Sequence, residues 1–376
     1  MSGKLKVVTV VGTRPEIIRL SRIIAALEEH TNHVLVHTGQ NYDYELNEIF
    51  FEDLGLRRPD HFLEADTSTL GAVLGDVLRG TERVLLEEKP DAMVVLGDTN
   101  SCVSALMARR MKIPVYHLEA GNRSFDPNVP EEINRHLVDH VSDYNLVYTE
   151  HSRRNLLAEG LHPSRVIVMG SPMAEVLHHY QDRIRDSRVM DDLGIEERGF
   201  LLASVHREEN VDSPERLESV IDSLTEAARN FGVPMLVSTH PRTRKRLDDF
   251  GLAAGTELIL HKPLGFSDYV HLQTKALCVV SDSGTISEES SMLGFPAVTI
   301  RDAIERPEAI DTGAIICTGL EPEAVVDSIE ITIAQHRSRG RAQIPNDYAV
   351  LDASRRTVNF IRSTAGTHHQ RTGIRK

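Results

Sequence analysis

A chain of 376 residues, 40% hydrophobic and 26% charged, has the composition of an ordinary globular protein and is long for one core, so two domains are expected. Its formal net charge of −14 argues against nucleic acid or an anionic membrane as partner, because the overall field repels phosphates. Cys102, Cys278 and Cys317 sit in or beside apolar stretches, give neither a disulfide framework nor a CxxC metal site, and read as buried thiols of a reducing compartment.

The opening MSGKLKVVTVVG has an apolar run too short to span a membrane and no signal-peptide pattern, so a cytoplasmic location is expected. From there strand and helix patterns alternate. Expected strands are Leu5–Val11, His33–Thr38, Ala92–Leu96, Val115–Leu118, Tyr144–Tyr148 and Val166–Met169. The helical patterns between them are Glu16–Glu29, Tyr44–Leu54, Leu70–Glu88, Asn100–Arg110, Glu131–Val141 and Ser152–Glu159. The strands are near-continuous apolar runs, as in parallel sheets covered on both faces. After Gly170-Ser171-Pro172 a helix over Ala174–Leu193 leads into a second series: Phe200–Val205, Met235–Thr239, Leu258–His261, Leu277–Ser281, Ala297–Ile300 and Ile315–Cys317. The expected fold is α/β, with two doubly wound domains, residues 1–171 and 172–347. A last helix, about 348–362, is expected to return to the first domain, and the polar tail 363–376 is expected to be disordered.

Polar residues gather where the strands end, which is where open α/β sheets bind ligands. Gly12-Thr13-Arg14-Pro15-Glu16 follows the first strand; it lacks the GxGxxG fingerprint, and a solvated surface role suits Arg19 better than Arg14. His37-Thr38-Gly39-Gln40 ends the second. Asp98 follows the Ala92–Leu96 strand, where helix capping is the default role. Glu119 ends an apolar strand, where a carboxylate is costly unless paired or used. Pro130 starts a helix, and the dipole accounts for one of Glu131 and Glu132. His206 and Arg207, then His240, end strands of the second series. Asp282-Ser283-Gly284-Thr285 precedes a helix whose first turn carries Glu288 and Glu289. Amides there suit the phosphates of a nucleotide diphosphate, and a carboxylate suits its ribose; a capped surface helix explains the local pattern equally well. Asp98, Glu119, Glu131 and His206 together allow acid–base chemistry, while no nucleophile elbow and no metal-ligand spacing occur.

In order, GTRPE, TGQ, GDT, HLEAGNR, PEEINR, HREEN, DSGTISEE and RDAIERPE resemble the signature of the non-hydrolysing UDP-N-acetylglucosamine 2-epimerase family along nearly the whole chain. The resemblance implies two Rossmann-like domains facing across a cleft (a GT-B-type fold). It also implies inversion at C2 of a UDP-N-acetylhexosamine, by loss of UDP to a 2-acetamidoglycal and its re-addition, for polysaccharide precursors. By matching motif, Asp98, Glu119, Glu131 and His206 are catalytic. UDP or sugar contacts fall to Arg14, Pro15, Arg123, Asn134, Arg135, Arg207, His240, Ser283, Gly284, Thr285, Glu289 and Arg306, with Glu289 on the ribose. No nicotinamide and no metal are implied, since the reaction is redox-neutral. The expected partners are the UDP-sugar and a second copy of the chain.

The sequence departs from the commonest form after TGQ, where it reads NYDYELNEIFF, and at Gly121-Asn122-Arg123-Ser124-Phe125. These features look like the subgroup that forms UDP-N-acetyl-L-fucosamine, and the Gln40 surroundings differ from the form that goes with allosteric activation by UDP-GlcNAc. A UDP-sugar glycosyltransferase of the same fold, a hydrolysing 2-epimerase and a non-catalytic nucleotide-sugar sensor are the alternatives.

Overall fold

The computed structural model describes residues 4–39, 51–302, 305–340 and 342–375. The chain divides into two compact units, Met1–Arg123 with Val129–His179 and Asn346–Lys376, and Ser124–Asn128 with Tyr180–Pro345. The first unit is a seven-stranded sheet of β1 (Lys6–Val11), β2 (Asn32–His37), β3 (His61–Phe62), β4 (Ala92–Leu96), β5 (Val115–Leu118), β6 (Tyr144–Val147) and β7 (Val166–Val168). Its order is β3-β2-β1-β4-β5-β6-β7. Every pairing is parallel. The second unit holds β8 (Leu201–Ser204), β9 (Met235–Ser238), β10 (Leu258–His261), β11 (Val279–Ser281), β12 (Ala297–Thr299) and β13 (Ile316–Cys317). Their order is β10-β9-β8-β11-β12-β13.

Central strands are buried from end to end: β4 reads Ala-Met-Val-Val-Leu with every residue in the core. Helices cover both faces of such a strand, so no position needs a polar residue. Burying one Val, Leu or Ile is worth about 1.5–3 kcal/mol. In each sheet the order reverses once, between β1 and β4 in the first unit and between β8 and β11 in the second. Each switch point opens a crevice at the carboxyl ends of its own sheet's strands, and the loops beside it are the natural ligand loops.

The structure differs from the sequence reading in four places. The helix expected over Ala174–Leu193 is three short ones, Met173–His179, Gln181–Arg185 and Val189–Leu193. Buried Tyr180 breaks the first pair, leaving helical geometry while its ring packs edge-on to Phe266 at 5.9 Å. The tail is structured: a helix spans Ala353–Thr364 and a further turn spans His368–Thr372. Tyr116 Oη pairs with Thr364 Oγ1 at 2.7 Å, Phe360 packs edge-on against Tyr144, and buried His368 lies 3.3 Å from Asp143, so apolar and polar anchors both hold it. Cys317 is exposed at the end of edge strand β13, whereas Cys102 and Cys278 are buried. The short edge strand β3 carried no sequence signal. Gln40 and most of the pattern Tyr44–Leu54 lie outside the described residues. No helix among the described residues is long and apolar enough to cross a membrane.

Candidate active site

Each unit carries a polar cluster at its own switch point. In the first, Arg14 begins the helix Arg14–His30 directly after β1, and Asp98 follows β4. The two loops are stitched together by Glu16. Its carboxylate accepts from Gly12 N at 2.7 Å, Thr13 N at 2.7 Å, Thr13 Oγ1 at 3.0 Å and Thr99 Oγ1 at 3.0 Å, and also from Ser101 Oγ. Burial pushes the Glu16 carboxyl up, against the lowering effect of these donors. Asp98 is no helix cap. Its Oδ2 receives Arg135 Nε at 2.7 Å and Nη2 at 2.6 Å, and Asn134 Nδ2 donates to its backbone oxygen at 2.8 Å.

Glu119 follows β5 with φ of 61°, a left-handed conformation that residues other than glycine rarely adopt. Its carboxylate is ion-paired with Arg19, which is buried at 3% exposure, so the solvated role expected for Arg19 is overturned. Nothing in the sequence around Arg19 announced this, although its place one turn after Glu16 on the helical period puts it on the same face. Glu131 lies in the first turn of the helix Pro130–Val141, which also delivers Asn134 and Arg135. Three carboxylates therefore arise from three elements of one unit, two of them after the adjacent parallel strands β4 and β5.

Arg123 is not placed to display its charge. Its side chain is fully buried, with Nη1 2.7 Å from Asp139 and Nε and Nη2 each 2.7 Å from Glu159. The guanidinium closes an internal ion-pair network with Asp139 and Glu159. Pro15 is exposed at the start of its helix.

In the second unit, buried Asp282 after β11 binds the loop after β8. It accepts from His206 N at 3.1 Å, Arg207 N at 2.9 Å and Asn210 Nδ2 at 3.1 Å. Burial alone would raise its carboxyl, and the His206 ring with these donors outweighs that and holds it below the usual range. His206 Nδ1 stands 3.2 Å from Asp282 while its side chain is 36% exposed, which leaves Nε2 as the nitrogen for a ligand. The His240 ring lies 6.0 Å away, centre to centre. Ser283, Gly284 and Thr285 form the turn before the helix Ile286–Leu293. Ser283 Oγ and Thr285 Oγ1 are 3.0 Å apart. A Cβ on Gly284 would meet Glu305 Oε1 at 2.7 Å and Arg207 Nη2 at 3.4 Å, so a larger residue here would displace those side-chain ends. Arg207 reaches Glu305 at 2.9 Å.

The two glutamates of that helix separate. Glu288 is fully buried and ion-paired with Arg306, and Glu289 accepts from Gln273 Nε2 at 2.6 Å. Arg306 is thereby engaged with this helix, and Arg301 similarly binds Glu305.

An arginine-oriented carboxylate pair at one switch point suits proton transfer at carbon, and a histidine with amide donors at the other suits a diphosphate. The model of the UDP-N-acetylglucosamine 2-epimerase family matches residues 25–362. The chain belongs to that family. It is an isomerase of the UDP-N-acetylglucosamine 2-epimerase type. The structure of the UDP-N-acetylglucosamine 2-epimerase from Rickettsia bellii is 42% identical, with a TM-score of 0.91 over 99% of this chain and 100% of that one. The Methanocaldococcus jannaschii UDP-GlcNAc 2-epimerase in complex with UDP-GlcNAc and UDP is 36% identical, with a TM-score of 0.90 over 96% of this chain and 100% of that one. The UDP-2,3-diacetamido-2,3-dideoxy-D-glucuronate 2-epimerase of Pseudomonas aeruginosa is 35% identical over 88% of this chain and 93% of its own. The two-unit α/β fold is the GT-B type of these epimerases.

Proposed function

We propose that this epimerase inverts C2 of a UDP-N-acetylhexosamine by elimination and re-addition. A carboxylate takes the C2 proton while the C1–O bond to UDP breaks, leaving a 2-acetamidoglycal. A second acid returns a proton to the opposite face of C2, and UDP re-forms its bond at C1. The observation that carries this reading is the pair Asp98 and Glu119, set after neighbouring parallel strands and each gripped by its own arginine, Arg135 and Arg19. Work on two faces of one carbon needs two carboxylates fixed relative to each other. Glu131 is the third acid of the set. In the second unit the Ser283–Thr285 turn, Arg207 and Glu289 would keep UDP bound while the glycal exists, with His206 Nε2 beside the diphosphate. The net reaction is redox-neutral and calls for neither nicotinamide nor metal.

UDP-GlcNAc is the first sugar to offer, because the relatives named above are UDP-GlcNAc epimerases and an epimerase of a 2,3-diacetamido uronate. The segments NYDYELNEIFF and Gly121-Asn122-Arg123-Ser124-Phe125 make 6-deoxy-N-acetylhexosamines the second set, for cell-surface polysaccharide precursors. Incubation in D2O tests the reading. Recovered UDP-sugar should carry deuterium at C2 with no acceptor present. Its absence across the sugar panel, with folded protein that binds UDP, would sink the proposal, and free N-acetylhexosamine in stoichiometric amount would move it to a hydrolysing epimerase.

A further inference from the structure

Asp139 lies one turn from the end of the helix Pro130–Val141 and is wholly buried. Its carboxylate meets three things at once. His117 Nδ1 lies 2.9 Å from Oδ1, a close polar contact without hydrogen-bond geometry. Gly121 N donates to both oxygens at 3.2 Å. Arg123 Nη1 lies 2.7 Å from Oδ2. His117 and Gly121 bracket Glu119 in sequence, two residues to either side. The other edge of His117 donates from Nε2 to Gly97 O at 2.7 Å, and Gly97 is the residue before Asp98. The helix bearing Asp139 also bears Glu131 and grips Asp98 through Arg135.

A carboxylate with no exposure is costly, and its loss leaves the Arg123 guanidinium, the His117 ring and an amide without their partner. We propose that Asp139 is a positioning residue, which sets the carboxylates of Asp98, Glu119 and Glu131 in register with one another through His117 and Gly121. The proposal rests on the epimerase reading above. Glu119 gives it particular force, because its left-handed backbone persists only if the residues on both sides are held.

The test is a ratio. Once a C2 proton has been removed, its return to the original face gives exchange without inversion, and its delivery to the opposite face gives inversion. That partition depends on the relative placement of the acids and is blind to the fraction of protein folded. In Asp139→Asn we expect kcat to fall about 10²-fold. KM and UDP affinity should hold, and the exchange-to-inversion ratio should shift. If Asp139→Asn does not fold, His117→Gln, which severs the Gly97 arm, replaces it with the same expected shift. Glu159→Gln is the control: it loosens Arg123 from the solvent side of the same network and should lower the melting temperature while leaving kcat and the ratio as in wild type. An Asp139→Asn or His117→Gln protein with the wild-type ratio and kcat overturns the proposal. So does an equal shift in Glu159→Gln, which would make the network a support of the fold only. A wild-type protein that exchanges no C2 proton on any sugar of the panel overturns the epimerase reading instead, and this proposal with it.

Discussion

In the first unit a buried aspartate stands 2.9 Å from Nδ1 of His117, and in the second a buried aspartate stands 3.2 Å from Nδ1 of His206. The His117 side chain is 1% exposed and its Nε2 is spent on a backbone carbonyl, whereas that of His206 is 36% exposed. The same two residue types therefore serve opposite ends. Where both ring edges are engaged, the histidine transmits position. Where one edge stays open, it can act on a ligand, with the aspartate fixing the orientation. His117 lies within β5, whereas His206 lies two residues beyond the end of β8.

The largest effect that separates the pairs should come from His206→Ala. Turnover should drop about 10²–10⁴-fold with UDP affinity and melting temperature nearly unchanged. Parallel loss of affinity and turnover would reduce His206 to a binding residue. Gly121→Ala comes next. A Cβ there would sit 2.4 Å from Ser152 O in a backbone with φ of 80°, so chemical denaturation should show about 2–5 kcal/mol lost. Wild-type stability in that variant would mean that the loop carrying Glu119 is softer than the comparison requires. Asp282→Asn should cost about 2–4 kcal/mol in the second unit, since an amide cannot accept from the His206, Arg207 and Asn210 donors together.

Acid should divide the units more gently. Burial drives His37 in the first unit down from 6.5 to about 4. Between those values the unfolded chain is protonated and the folded one is not, so stability falls as pH drops from 6.5 to 4, by up to about 3 kcal/mol. Asp282 in the second unit is a depressed carboxylate, and its contribution is lost only as pH falls below the ordinary aspartate range. The difference in unfolding free energy between wild type and His37→Phe, followed from pH 7 to pH 4, isolates the His37 part. A pH-independent difference would remove it.

Much of the architecture was legible because fully buried parallel strands leave unbroken apolar runs: β4 and β5 have the expected bounds. The segment before β8 was not, because Tyr180 breaks the helix by its packing on Phe266 and not by a glycine or proline. At the sites, motif and strand-end position brought out Asp98, Glu119 and His206. They could not reveal which cations were free. Arg123 and Arg19 look alike in sequence. One is sealed against Asp139 and Glu159 and the other holds Glu119, and that distinction depends on partners a hundred residues away or on a neighbouring helix. Glu288 and Glu289 differ in the same way, by which one finds Arg306.

The ordered tail has a consequence for how the chain is made. Phe360, Thr364 and His368 complete the aromatic cluster around Tyr116 and Tyr144, yet they leave the ribosome after all of the second unit. During synthesis the first unit must wait, with that cluster open, while the second, Ser124–Asn128 with Tyr180–Pro345, has left the ribosome before the tail. A stop codon or a bulky carboxyl-terminal tag near residue 360 would thus injure the amino-terminal half of the molecule, the one translated first.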